Sequence, residues 1–211
     1  MQQISVCNLS YAVFFACMIS LVPTSFAASG DVVEIKHGQL LAQTCAACHG
    51  ADGNTANAAL YPNLAGQFPD YIVLQLTNFK SGERPNGLMR TFANSLQQSD
   101  MQAVGAYFGA QKAKPQPSVD KTVEGKGRLI FTRGSAAGAP ACVTCHGQRG
   151  HGQGAFPRVA SQPMQYTLEQ LHVYRDAEKF NNPLASEMKT IALKVNEEEM
   201  RAVSAYLATL P

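Results

Sequence analysis

Apolar residues recur at i, i+3 and i+7 in two stretches of the chain, Met101, Val104 and Phe108, then Met200, Val203 and Leu207. That spacing keeps three side chains on one side of a 3.6-residue turn, so each stretch predicts an amphipathic helix with one buried face. Two further helices are expected earlier, from about 70 to 80 and from about 165 to 176, each following a proline-bearing loop. Shorter helices precede them around Gly38 and Leu41 and around Gly127 and Ile130. Glycine inside a helix costs about 1 kcal/mol against alanine, so Gly38 and Gly127 predict the close approach of another element, with Tyr107 and Tyr206 the candidates for what approaches. No alternating run of β-branched residues is long enough for a strand, so the fold class is all-α.

A different pattern opens the chain. Residues 1–28 carry no charged side chain and hold an apolar run from Tyr11 to Val22, which Pro23 ends. Ser25-Phe26-Ala27 then places small residues at the two positions a signal peptidase reads, so cleavage after Ala27 and export to the periplasm are expected. The run is short for a membrane span, although an uncleaved anchor is the alternative because the leading residues lack Lys and Arg.

The predicted elements come in duplicate. YPNLAGQFPDYIVLQLTNFK from Tyr61 is answered by FPRVASQPMQYTLEQLHVYR from Phe156, with identities at Pro62/Pro157, Ala65/Ala160, Gln67/Gln162, Tyr71/Tyr166, Gln75/Gln170 and Leu76/Leu171. MRTFANSL from Met89 aligns with MKTIALKV from Met188, and MQAVGAYF from Met101 with MRAVSAYL from Met200. Matches of this density mark an internal repeat. QKAKPQPSVD, polar and with two prolines, separates the copies and reads as a linker. The expected organisation is a signal at 1–27, a first domain at 28–112, a linker at 113–120 and a second domain at 121–211.

Composition removes one class of function. A formal charge of +2 with no basic run leaves no electrostatic footprint for nucleic acid. Cysteine use points elsewhere. Cys7 and Cys17 lie in the signal, and the remaining four, Cys45, Cys48, Cys142 and Cys145, all fall in CxxCH motifs, CAACHG and CVTCHG. An exported chain that spends every remaining cysteine this way is committing them to one chemistry.

CxxCH is the attachment signature of c-type haem. Cysteines three apart lie on one side of a helical turn, spaced for thioethers to the two haem vinyl groups, and the adjacent histidine, His49 or His146, reaches the iron. The alternatives are a zinc ribbon and a dithiol redox site. Ribbon knuckles sit about 15 to 20 residues apart, unlike these motifs, and no βαβ pattern surrounds either one as a thioredoxin-like site requires.

The second axial ligand decides whether iron binds small molecules or only exchanges electrons. Met89 lies 40 residues after His49 and Met188 lies 42 after His146, each following a turn-rich stretch, SGERPNG or FNNPLAS. Both are read as ligands carried on loops, since a thioether suits both iron oxidation states. Met101 and Met200 belong to the apolar stripes and are read as core. His37, His151 and His172 have no histidine counterpart in the other copy and are read as surface residues or as residues that support a ligand from behind, not as ligands. Pro62 and Pro157 are expected to aim a backbone carbonyl at the free nitrogen of His49 or His146, fixing the ring.

From about Val33 to Leu210 the chain resembles the dihaem cytochrome c4 group, on CAACHGADGN, YPNLAGQ, the GLM-containing loop, GAPACVTCHG, FPRVASQ and the two closing helices. The resemblance implies two class I cytochrome c folds paired about an approximate two-fold axis, with haem c bound twice and ligand pairs His49/Met89 and His146/Met188. It also implies an electron carrier between a quinol-oxidising complex and a haem-copper terminal oxidase, loosely associated with the inner membrane and without catalysis of its own. The alternatives are an electron-accepting subunit of a periplasmic dehydrogenase and a dihaem peroxidase. The second requires an iron with a vacant distal position, against which Met89 and Met188 argue.

Overall fold

The computed structural model describes residues 27–118 and 120–211, so the expected signal lies, apart from Ala27, outside the described residues. Among the described residues ten α-helices follow in chain order: α1 (Ala27–Leu41), α2 (Ala46–His49), α3 (Pro69–Ser81), α4 (Gly87–Asn94), α5 (Gln98–Gly109), α6 (Lys121–Arg133), α7 (Val143–His146), α8 (Met164–Asp176), α9 (Pro183–Ala192) and α10 (Glu197–Thr209). The first five and the last five correspond element for element, as the repeat requires. Among the described residues no strand forms, only an isolated bridge between Gln153 and Phe156, and no helix is long and apolar enough to cross a membrane.

Local chemistry sets the helix ends. Pro69 opens α3, where its missing N–H costs nothing. Asp120 caps α6 by accepting from Thr122 N and Val123 N. At α10, Asn196 and Glu199 cap each other reciprocally, each side chain accepting from the other's backbone N–H at 2.9 Å.

The apolar stripes of the closing helices form the core of each copy. Met101, Val104 and Phe108 are buried on α5, and Met200, Val203 and Leu207 on α10. Each such side chain contributes about 1.5–3 kcal/mol by leaving water. Helix α5 packs on α1 and α3, and α10 packs on α6 and α8. The α1–α5 and α6–α10 crossings depend on glycine: a Cβ at Gly38 would lie 1.9 Å from Ala103 O and 2.9 Å from Tyr107 Cβ. At Gly127 it would lie 1.9 Å from Ala202 O and 2.7 Å from Tyr206 Cβ. The expected tyrosines do approach, but the carbonyl one turn earlier comes closer still.

One expectation needs correction. Met89 and Met188 sit on helices, α4 and α9, not on loops. The residues that read as turns are N-terminal signals: Asn86 accepts from Met89 N at 2.9 Å, Asn182 accepts from Leu184 N and Ala185 N, and Pro183 opens α9.

The two copies meet along a polar seam built from the corresponding loop of each. Asn63, Gln67, Ser161 and Gln162 are all buried in it. Ser161 adopts a left-handed φ of 61°, where its counterpart Gly66 has 67°. That conformation costs a residue with a Cβ about 1–2 kcal/mol. Bonds from Ser161 N to Leu207 O and from Ser161 Oγ to Leu210 O offset it, and its own carbonyl accepts from Asn63 Nδ2 at 2.7 Å. The expected linker is also tied down. Lys114 N donates to Asn54 Oδ1 in the first copy and Gln116 N to Ala208 O in the second.

Candidate haem-attachment sites

Both CxxCH motifs fold as the same single helical turn. In the first, Cys48 N and His49 N both donate to Cys45 O, at 3.2 and 2.9 Å. In the second, Cys145 N and His146 N donate to Cys142 O at the same two distances. None of these four cysteines is in a disulfide, and all are partly buried. Burial pushes the Cys45 thiol up and the Cys142 thiol up to about 11. Disulfide-exchanging CxxC sites do the opposite, lowering the thiol pKa to keep a nucleophilic thiolate. The site chemistry therefore disfavours a dithiol redox role.

The histidines are the fixed points. His49 and His146 are only 7% and 8% exposed, unusual for an ionisable group without a charged partner. Burial depresses the pKa of both rings, and the hydrogen bond to the proline carbonyl opposes it only in part. Burial thus favours the neutral ring, the form that ligates metal. Nδ1–H of His49 donates to Pro62 O at 3.0 Å and Nδ1–H of His146 to Pro157 O at 2.9 Å, the bonds expected from the repeated prolines. Each fixes ring orientation and leaves Nε2 available to ligate a metal. A second constraint was not visible beforehand. Tyr61 meets the His49 ring edge-on, with centroids 6.0 Å apart, and Phe156 meets His146 at 6.3 Å. An aromatic residue immediately before each repeated proline was the available signal.

Met89, in the first turn of α4, packs against the buried cluster of Ile72, Leu76, Phe79 and Met101, and Cys45 packs against that same cluster. Met188 is partly buried on α9. Met101 and Met200 are 2% and 0% exposed and belong to the core, as expected. The other three histidines have surface partners: His37 faces Asp100 at 3.9 Å, His151 bonds Pro211 O, and His172 bonds Glu197 at 2.9 Å.

The residues present fit haem c. Two cysteines on one helical turn, in no disulfide, stand beside a buried imidazole whose Nδ1 is tied to a carbonyl, and the arrangement occurs twice. That combination defines a tandem c-type cytochrome. The cytochrome c family model matches residues 35–112 and 126–211. Cytochrome c4 of Pseudomonas aeruginosa is 34% identical over 87% of this chain and 90% of its own length. A thiosulfate dehydrogenase electron acceptor from Stutzerimonas stutzeri is 38% identical over 80% of each chain. The crystal structure of reduced cytochrome c4 from Pseudomonas stutzeri superposes with a TM-score of 0.77, at 31% identity, over 84% of this chain and 98% of that one. The chain belongs to the cytochrome c family and, within it, to the dihaem cytochromes c4. Its two domains bind two covalent haem c groups.

Proposed function

We propose that this protein is a periplasmic electron carrier, exported by a signal ending at Ala27, with domains at 28–112 and 121–211 joined by 113–120. Cys45, Cys48, Cys142 and Cys145 form the thioethers, and His49/Met89 and His146/Met188 are the axial ligand pairs. The observation that carries this reading is the duplicated histidine: twice buried and twice tied through Nδ1 to a proline carbonyl. When bound, each haem stores one electron as its iron alternates between ferric and ferrous. The chain's contribution is to hold an imidazole and a thioether in a packed apolar site, where little rearranges as the charge changes. Methionine in place of a second histidine raises the potential. With both axial positions filled no position is left for a substrate, so the protein has no catalysis of its own.

The electron route proposed is from a quinol-oxidising complex to a haem-copper terminal oxidase, on the inner-membrane surface. A second reading has a specific support: relatives from Stutzerimonas stutzeri and Thiomonas intermedia, 38% and 34% identical, are thiosulfate dehydrogenase electron acceptors. On that reading the same two domains accept electrons from a periplasmic dehydrogenase. Native purification separates the two. A carrier elutes free and is reoxidised by oxidase-containing membranes, whereas an acceptor subunit elutes with a dehydrogenase at fixed stoichiometry.

A further inference from the structure

The two proline carbonyls that hold the haem histidines belong to peptides whose other ends are held by the opposite domain. The Pro62–Asn63 peptide accepts from His49 at its carbonyl, while its N–H, that of Asn63, donates to Gln162 Oε1 at 3.1 Å. The Pro157–Arg158 peptide accepts from His146, while its N–H, that of Arg158, donates to Gln67 Oε1 at 2.9 Å. Each glutamine completes the clamp with its amide: Gln162 Nε2 donates to Asn63 O at 2.7 Å and Gln67 Nε2 to Arg158 O at 2.9 Å. Gln67 and Gln162 are repeat equivalents, so the clamps are exchanged between domains. Both side chains are buried, at 6% and 8% exposure, so water does not compete for these bonds.

We propose that Gln67 and Gln162 are positioning residues that tune the haem histidine of the other domain: Gln162 acts on His49 through the Pro62–Asn63 peptide, and Gln67 acts on His146 through the Pro157–Arg158 peptide. The physical route is amide resonance. The C–N bond of a peptide has partial double-bond character, so a bond made by the N–H draws electron density onto the carbonyl oxygen of the same unit. Hydrogen bonds in series strengthen one another, and they do so most in a buried, low-dielectric setting. A more negative Pro62 O pulls harder on the Nδ1 proton of His49, and a partner of this kind raises the basicity of the ligating nitrogen. A more basic imidazole stabilises ferric over ferrous iron and lowers the potential. Each domain thereby sets part of the potential of the haem it does not hold. Separation of the domains relaxes both clamps and raises both potentials. The inference rests on His49 and His146 being the iron ligands.

The test uses the reduced holoprotein, whose ring N–H protons are read by proton–nitrogen correlation spectra, together with a potentiometric titration. Gln162→Leu removes the acceptor. It is expected to move the His49 Nδ1 proton upfield and raise the potential of the haem held by Cys45 and Cys48, with the His146 proton nearly unmoved. Gln67→Leu is expected to do the reverse. Gln162→Glu keeps an acceptor, and a stronger one, so the His49 proton is expected to move downfield. Asn181→Ala removes a different interdomain contact, the pair of bonds to Glu83, and is expected to leave both ring protons in place. The inference is overturned if the Leu and Glu variants move the His49 proton in the same direction. It is equally overturned if Gln162→Leu moves the His146 proton as far as that of His49, or moves neither. In those outcomes the parent protein still shows histidine–methionine spectra at both haems. Their absence from the parent overturns the ligand assignment instead.

Discussion

Arg84 of the first domain donates through Nη2 to Gln170 Oε1 of the second at 2.9 Å, while its Nη1 donates to Gln75 Oε1 at 2.8 Å. Gln75 and Gln170 are repeat equivalents, so one guanidinium bridges a matched pair across the seam. It also donates to Tyr166 OH at 3.0 Å and stacks over Phe79, 4.7 Å from the ring centroid. Bonds from a charged donor are the stronger kind. Arg84→Leu is therefore expected to weaken docking of the domains by about 2 kcal/mol. Calorimetry should show one broadened or split transition in place of a single sharp one, with both haem spectra retained.

At the α1–α5 and α6–α10 crossings an added methyl group has nowhere to go, since the obstruction is a backbone carbonyl and not a flexible side chain. Gly38→Ala and Gly127→Ala are each expected to destabilise by about 3 kcal/mol, the upper end for overpacking, despite alanine's better helix propensity. Denaturant titration of each variant checks this. A stabilised variant would mean the helices cross with more room than described.

What could be read from the chain beforehand divides by the kind of signal each feature leaves. Met101, Val104 and Phe108 betray α5 because burial on one face imposes a period, and repetition at Met200, Val203 and Leu207 removes the ambiguity. The bonds from His49 to Pro62 and from His146 to Pro157 were foreseeable because a proline recurs at the same place in both copies. Helices α4 and α9 were not, because Asn86 and Asn182 are caps and the same residue types also make turns. The seam was not legible either. Gln67 and Gln162 stand out as repeated, yet nothing in a sequence says that each reaches the other copy. Arg84 left no repeat signal at all, since it lies where the register of the two copies shifts, from 95 residues at Leu76/Leu171 to 99 at Met89/Met188.

Acid should loosen one defined contact. Lys114, at 2.6 Å, holds the Asp52 carboxyl below the usual carboxylate range, tying the turn after the first CxxCH to the segment between domains. A depressed carboxylate stabilises the fold above its unfolded pKa, and that contribution is lost as pH falls through the folded value. Both side chains are well exposed, 41% and 68%, so solvent screening limits the effect to about 0.2–1 kcal/mol. Asp52→Asn should flatten the pH dependence of first-domain unfolding below about pH 4 and leave stability at neutral pH almost unchanged.

The proposed assignment of one histidine–methionine pair to each domain makes a separate prediction. Met89→His should lower the potential of the haem attached at Cys45 and Cys48 and leave the other nearly unchanged, and Met188→His should do the converse. Spectroelectrochemical titration resolves the two steps. Equal shifts at both haems in either variant would contradict the assignment of one methionine to each domain.

The most direct test of the whole account is the near-infrared spectrum of the oxidised holoprotein, recorded alongside exposure of the reduced protein to carbon monoxide. Histidine–methionine ligation at both irons predicts a sulfur-to-iron charge-transfer band carrying the intensity of two haems, and no carbon monoxide adduct without denaturant. A band of half that intensity, or ready carbon monoxide binding at either haem, would contradict it.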